Sequence, residues 1–407
     1  MKAIVIRTYI LVYIIIHLCF TASVYAQFNG DFSIKKHFLE EENFLDWKAY
    51  QDTIPWRYTW YEAENGIKTS TGSLSQERFY FHEEIRLEFD FSDFASFLYG
   101  QEKDEFYSNN PVYHEAEFRF GKTYHFSLIG FPFHEKRYNN AGIALSRGKR
   151  SRFEYIRLSY LKLHAGFNDM NKRDENLSGN ERYFKEPAMY RFETLYRIRE
   201  KILVELDLKY EPALGLSVPD ENTKQNFKGY DYFARLDWKI NNKWLAGVSY
   251  RTVKENRWHD STVSSDYTDQ VMVLDGIEIY GGIHLTAKDH LSFGFLNSSF
   301  ENTIDSNVTQ DLYDFSMKCP QIYCIWLNTR SDRRKMFYSL QAGRFELYKE
   351  NMGVLDTDDD GIDIKAGVGI ILYQNNRYRF LALSTWDLDL FVDRQWDGGN
   401  IQLQIYF

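Results

Sequence analysis

From Arg78 onward the chain repeats one pattern, with apolar residues at every second position and charged or polar residues between them. Phe79, Phe81, Ile85, Leu87, Phe89 and Phe91 alternate with Tyr80, His82, Glu84, Arg86, Glu88 and Asp90. Period two places the two sets on opposite faces of an extended strand, and no helix can separate them. Val112, His114, Ala116, Phe118 and Phe120 oppose Tyr113, Glu115, Glu117 and Arg119 in the same way. Further along, Tyr190 to Ile198 oppose Arg191, Glu193 and Arg197, and Ile202 to Tyr210 oppose Glu205, Asp207 and Lys209. Tyr230 to Ile240 oppose Asp231, Arg235, Asp237 and Lys239. Similar runs cover Val271–Leu285, Leu291–Phe295, Tyr313–Leu327, Met336–Ala342, Ile362–Leu372 and Tyr378–Leu390.

Two kinds of connection separate the runs. Short turns fall at Gly121-Lys122, Gly148-Lys149, Arg199-Glu200, Asn241-Asn242, Lys288-Asp289, Ser331–Arg334 and Asn375-Asn376. Between them stand polar stretches that read as long loops: Asn168–Glu186, Ala213–Lys228, Asn256–Thr268 and Glu350–Asp360. Short and long connections in alternation are expected of a barrel with tight turns on one rim and external loops on the other. The turns supply fourteen strands, and Arg78–Phe91 and Gly398–Phe407 bring the expected total to about sixteen, with fourteen and eighteen the alternatives. In Arg152–Phe167 the apolar phase slips, which predicts a bulge.

The final residues carry a resemblance. Ile401, Leu403, Ile405 and Phe407 alternate with Gln402, Gln404 and Tyr406 up to the last residue. This resembles the C-terminal signal strand of Gram-negative outer-membrane β-barrels, and size and pattern together resemble the porins. The resemblance implies that these four residues are read by the barrel-insertion machinery.

At the other end, Lys2 and Arg7 precede an apolar run from Tyr9 to Phe20, then Val24-Tyr25-Ala26. This reads as a secretory signal cleaved after residue 26, and the run is shorter than the roughly 20 residues of a spanning helix. Without Lys2 and Arg7 the basic residues number 47 against 58 acidic, a net charge of −11 that argues against nucleic acid as a partner. Aromatics make up 17% of the chain and prolines number 7, a balance that favours sheet. Cys319 and Cys324 are five apart and fall on opposite faces, so two free thiols are expected.

Residues 27–76 do not alternate. Ser33 is placed to cap a helix over Ile34–Tyr50, and a Trp-rich stretch and a polar linker at Gly66–Ser75 follow. The segment reads as a periplasmic arm or a plug. The expected architecture is thus an all-β, transmembrane, antiparallel up-and-down barrel over residues 77–407, behind a signal peptide (1–26) and a short arm or plug (27–76).

The charged face must line the interior, because each Lys or Arg facing lipid costs roughly 2–4 kcal/mol at the bilayer midplane. The expected lining is Glu84, Arg86, Glu88, Glu115, Glu117, Arg119, Arg191, Glu193, Arg197, Glu205, Asp207, Lys209, Asp231, Arg235, Asp237 and Lys239. Such a lining fits passive or weakly selective passage of small hydrophilic solutes across a Gram-negative outer membrane. It also fits a plugged barrel that serves a surface complex. Asp356, Asp358 and Asp360 before Gly361 resemble the start of a calcium loop without its closing glutamate, and read more simply as an acidic loop. His114 and His259 have no partner motif, so neither enzymatic activity, nor a cofactor, nor a metal is expected.

Overall fold

The computed structural model describes residues 66–406 apart from 76–77, 106–111, 131–140, 150–152, 163–181, 186–187, 200, 219–221, 287–288, 308–311, 332–333, 352–353, 375–377 and 389–395. The signal peptide, the helix expected at Ile34–Tyr50 and Phe407 lie outside the described residues.

Among the described residues every element is a strand. The first half of the sheet holds β1 (Gly66–Ser75), β2 (Arg78–Asp90), β3 (Ala95–Glu105), β4 (Val112–Phe120), β5 (Tyr124–Gly130), β6 (Ala141–Arg147), β7 (Glu154–Lys162), β8 (Arg182–Lys185) and β9 (Ala188–Ile198). The second half holds β10 (Ile202–Val218), β11 (Thr223–Lys239), β12 (Trp244–Ser261), β13 (Tyr267–His284), β14 (Asp289–Ser306) and β15 (Leu312–Ser331). It ends with β16 (Arg334–Asn351), β17 (Val354–Gln374), β18 (Tyr378–Asp387) and β19 (Trp396–Tyr406).

All pair antiparallel in one sheet, and β1 pairs with both β2 and β19, which closes the ring. β8 and β9 both pair with β10 on the same edge, as two lengths of one strand. The nineteen segments therefore make eighteen places around the barrel, within the expected range. The two strands beyond sixteen are β1 and β3. β1 occupies the stretch read as a polar linker, so the barrel begins at Gly66 rather than 77. Its register with β19 pairs Gly66 with Tyr406, which brings both ends of the described chain to one rim.

Tight turns on that rim fall where the sequence places them, and two use glycines in the left-handed region, Gly121 at φ 125° and Gly148 at φ 77°. On the opposite rim the expected long loops are mostly strand. Ala213–Lys228, Asn256–Thr268 and Glu350–Asp360 continue β10–β11, β12–β13 and β16–β17 as hairpins. Their polar composition reflects where they stand. β10 to β17 run 17 to 21 residues, whereas about 9–11 suffice to cross a bilayer. The bulge expected in Arg152–Phe167 is absent from the described part. β7 alternates strictly in exposure and pairs with β6 and β9 without a shift. A bulge does fall in β10 between Glu211 and Leu214, around Pro212, which cannot donate to a ladder.

Exposure is inverted relative to a water-soluble domain. Leu236, Trp238, Trp244, Val248, Tyr250, Ile279 and Ile322 are exposed, while Glu117, Arg119, Arg157, Glu193 and Asp231 are buried. On a closed ring the concave face is the crowded one, so the charged set faces inward. Tyr160, Tyr190, Tyr210 and Tyr230 stand directly opposite one another across β7, β9, β10 and β11 on the outer surface. Trp238 lies eight residues from Tyr230 on β11. At about 3.4 Å per residue that is about 27 Å along the strand, foreshortened by tilt to about 20 Å, close to the apolar band of a membrane barrel. Beyond the band the outer face turns polar at Lys318, Arg344, Glu346, Asp358 and Asp360.

Candidate functional site

The inner wall gathers the charges into a belt. Arg119 on β4 lies 3.6 Å from Glu88 and 3.5 Å from Glu117. Glu117 reaches Arg157 on β7 at 3.1 Å, and Arg157 meets Glu193 on β9 at 2.5 Å. The first of these contacts spans β5 and β6, whose inner positions nearby are the small, buried Ser127, Ala144 and Ser146. Arg191 then bridges Glu193 at 3.1 Å and donates two hydrogen bonds to Asp207 on β10, at 2.8 and 3.0 Å. Lys209 stands 3.7 Å from Asp207 and 3.8 Å from Asp231, and Asp231 accepts two hydrogen bonds from Arg251 on β12. A second tier, nearer the rim that holds the termini, joins Glu205 to Arg235 at 2.5 Å and Arg235 to Asp237 at 3.7 Å.

Aromatic side chains extend the second tier. The Tyr280 hydroxyl donates to Asp237, and Glu278 accepts from Ser249 at 3.0 Å and from Tyr323 at 2.8 Å. Both rings lie along the wall over a glycine of the neighbouring strand. A Cβ at Gly247 would overlap the Tyr280 ring, and one at Gly294 would sit 2.5 Å from that of Tyr323. Only a residue without a side chain leaves this room.

The wall has a second sector. Val253, Leu274, Phe300, Met317 and Leu347 stand opposite one another across β12 to β16, and Met272, Phe315, Cys319 and Phe345 pack beside them. Phe300 and Met272 are 0% exposed. Thus a charged belt crosses the inner surface from β2 to β12, smaller apolar clusters such as Ile129, Leu161 and Met189 lie beside it, and the largest apolar cluster covers β12 to β16 away from the rim that holds the termini.

Of the residues expected to line the interior, Glu88, Glu117, Arg119, Arg191, Glu193, Asp207, Lys209 and Asp231 join the belt, and Glu205, Arg235 and Asp237 the second tier. Glu84, Arg86 and Glu115 fall in register on the same face, and their side chains lie outside what the structure describes. Arg197 and Lys239 fall on the same face by register but join neither tier. Both are exposed at strand ends, with the Arg197 guanidinium 3.8 Å above the Phe153 ring. Arg157, Arg251 and Glu278 belong to the network and had not been singled out. Extending the β12 alternation past Tyr250 would have found Arg251.

Ile401 and Leu403 are exposed on the outer face of β19, and Ile405 is half-buried. The calcium-like stretch is not a loop. Asp358, Asp359 and Asp360 pair with Tyr348, Leu347 and Glu346 along an extended ladder, and Arg344 donates to Asp360 at 2.8 Å. An extended strand cannot wrap oxygen ligands around an ion as a calcium loop does. His259 likewise lies on β12, against Phe227, rather than in a loop. Cys319 and Cys324 are not joined in a disulfide.

A closed antiparallel barrel with an apolar exterior, an aromatic row at the edge of that band and a charged interior satisfies every condition for crossing a bilayer with strands. The chain folds as a transmembrane β-barrel. No protein-family model matches it, and no curated protein does. Among solved structures it is similar to OmpT, an outer membrane protein of Vibrio cholerae, in a form lacking loop L8. That likeness has 12% identity and a TM-score of 0.39 over 84% of this chain and 97% of the other. A bacterial polysaccharide outer membrane secretin is 13% identical, with a TM-score of 0.36 over 85% and 99%. The outer membrane channel DcaP of Acinetobacter baumannii is 7% identical, with a TM-score of 0.35 over 84% and 96%.

Proposed function

We propose that this barrel passes small hydrophilic solutes across the outer membrane along the ionic side of its inner wall. The observation that carries this reading is the continuous belt from Glu88 to Arg251, in which cations and anions alternate around much of the circumference. A wall of paired charges offers hydrogen bonds to polar solutes of either sign, and selects weakly because neighbouring fields largely cancel. The second tier holds Glu205, Asp237 and Glu278 against the single cation Arg235, which tilts the wall toward acidity, so the preference is for cations and weakens with salt. Passage of this kind involves no bond-making step, and we assign the chain no enzymatic activity.

A second reading is supported by the apolar sector. In an open aqueous channel Phe300, Met272 and Phe315 would each keep apolar area in water, at about 25 cal/mol per Å², yet they are almost fully buried. Packed on one another, they form a sector that offers a polar solute no hydrogen bonds, which fits a structural or assembly role in a surface complex. In both readings Ile401, Leu403, Ile405 and Phe407 are the residues the barrel-insertion machinery reads, and lipid surrounds the outer band.

Single-channel recording of refolded protein in planar bilayers separates the two. Passage predicts defined conductance steps, with a reversal potential that moves toward zero when Glu205→Gln and Asp207→Asn are combined. Deleting residues 28–62 raises the conductance if that segment occupies the lumen. Absence of conductance from both the full-length and the shortened chain would leave the structural reading standing.

A further inference from the structure

At the rim that holds the termini, two imidazoles face each other across adjacent strands. His284, near the end of β13, is paired in register with His290, near the start of β14. Their ring centroids are 4.6 Å apart at an interplanar angle of 47°. Stepping by two from Glu278 and Tyr280 puts His284 on the inner face. The same parity puts His290 there with Ser292 and Gly294, so the pair looks into the periplasmic mouth of the lumen. His284 is exposed at that mouth, and His290 is half-buried behind it.

The environment of His290 is unusual for a wall residue. One ring nitrogen, Nε2, lies 3.0 Å from the hydroxyl of the buried Ser292. The other, Nδ1, is buried and has no hydrogen-bond partner. The Nε2 edge rests over Gly282, where a Cβ would come within 2.9 Å of the ring. If Nε2–H donates to Ser292, Nδ1 is left with a bare lone pair, the form that binds a metal. An outer hydrogen bond that fixes the tautomer is the usual support of a histidine ligand.

We propose that His284 and His290 form a two-imidazole site for a borderline divalent transition metal, Zn²⁺ or Cu²⁺, at the periplasmic mouth. Imidazole suits these ions and does not suit calcium or magnesium. With metal–nitrogen bonds of about 2.0–2.1 Å, a tetrahedral centre sets two imidazole centroids about 5 Å apart, close to the spacing observed. Among the described residues no group of three or more His, Cys, Asp or Glu side chains is placed to hold a metal. The two imidazoles are the protein ligands of the proposed site, with water in its remaining positions. Ser292 is a positioning residue that holds the His290 ring.

The test uses the full mature chain without a histidine tag, refolded in detergent, and the metal ions alone as probes. Calorimetric titration with Zn²⁺ is expected to show one site per barrel, weakened at least tenfold in His284→Ala and equally in His290→Ala. Ser292→Ala should weaken it severalfold without abolishing it. Bound Cu²⁺ should show nitrogen hyperfine coupling from two imidazoles in electron paramagnetic resonance, reduced to one in either histidine variant. Heat-modifiable migration on gels reports that each variant has folded, and His290→Asn replaces the alanine variant if it has not. No stoichiometric binding by the wild type, or binding unchanged when His284 or His290 is removed, overturns the proposal. The binding readout needs no conductance, so it stands or falls separately from the reading of the barrel as a channel.

Discussion

Arg157 is 3% exposed between two carboxylates, with Glu117 at 3.1 Å and Glu193 at 2.5 Å. In a wall this dry, removing the cation leaves two buried anions, and breaking such a pair costs about 3–5 kcal/mol. Arg157→Ala is therefore expected to lower the urea midpoint of the refolded barrel by an amount in that range, read by tryptophan fluorescence. Arg157→Met combined with Glu193→Gln should recover part of the loss, because fewer uncompensated charges remain. A loss below about 1 kcal/mol for the single variant, the range of exposed pairs, would mean that water reaches the belt. Most of the belt was legible from period two alone, since Glu117, Arg119, Arg191, Glu193, Asp207 and Asp231 fall on the charged face of their strands. Arg157 was not, because its inward neighbours Tyr155 and Leu161 are apolar and buried. The rule that the inside is polar fails on that strand, and the failure looked like a slip of phase.

At the scale of the strand, parity decides what a substitution does. Leu203 and Val204 are neighbours on β10, but Leu203 pairs with Arg197 and Asp237 on the inner face, and Val204 with Tyr196 and Leu236 on the outer one. The same change, to Lys, should therefore have opposite consequences. Val204→Lys puts a charge against lipid at roughly 2–4 kcal/mol and should reduce membrane assembly, whereas Leu203→Lys lands beside Asp237 and should assemble near the wild-type level. Equal assembly of both, measured as heat-modifiable protein in the outer-membrane fraction, would show that the faces are reversed. Strands with this alternation were readable, and two without it were not. β3 runs Phe97-Leu98-Tyr99 and ends in Gln-Glu-Lys-Asp-Glu, while β1 is built of small polar residues. Neither is specified by its own pattern; each is a strand because ladders on both sides satisfy its backbone. The polar hairpins misread as loops have the same explanation. Above the membrane the outer face meets water, so the apolar half of the signal disappears while the pairing continues.

For the whole molecule, closure rests on β1, the strand the sequence concealed. A sheet left open in a membrane would expose a row of unpaired N–H and C=O groups to hydrocarbon, each costing several kcal/mol, so the seam between β1 and β19 is a condition for insertion. The register across it is definite, with Thr71 opposite Ile401 and Thr69 opposite Leu403. Thr71 and Ile401 are both exposed, so they share the outer face. Directly opposed residues of an antiparallel pair have Cβ atoms close enough for a disulfide or nearly so, about 4.5–5.5 Å apart. With Cys19, Cys319 and Cys324 changed to Ser, Thr71→Cys combined with Ile401→Cys should oxidise to an intramolecular disulfide in the assembled barrel, seen by mass spectrometry of a proteolytic digest. Moving one partner a single residue, to Gln402→Cys, directs the thiol to the other face and should abolish the bond. If Gly66–Ser75 were a tether outside the barrel, neither pair would cross-link selectively. A bond that forms in the first pair and not in the second places β1 in the wall and fixes its register.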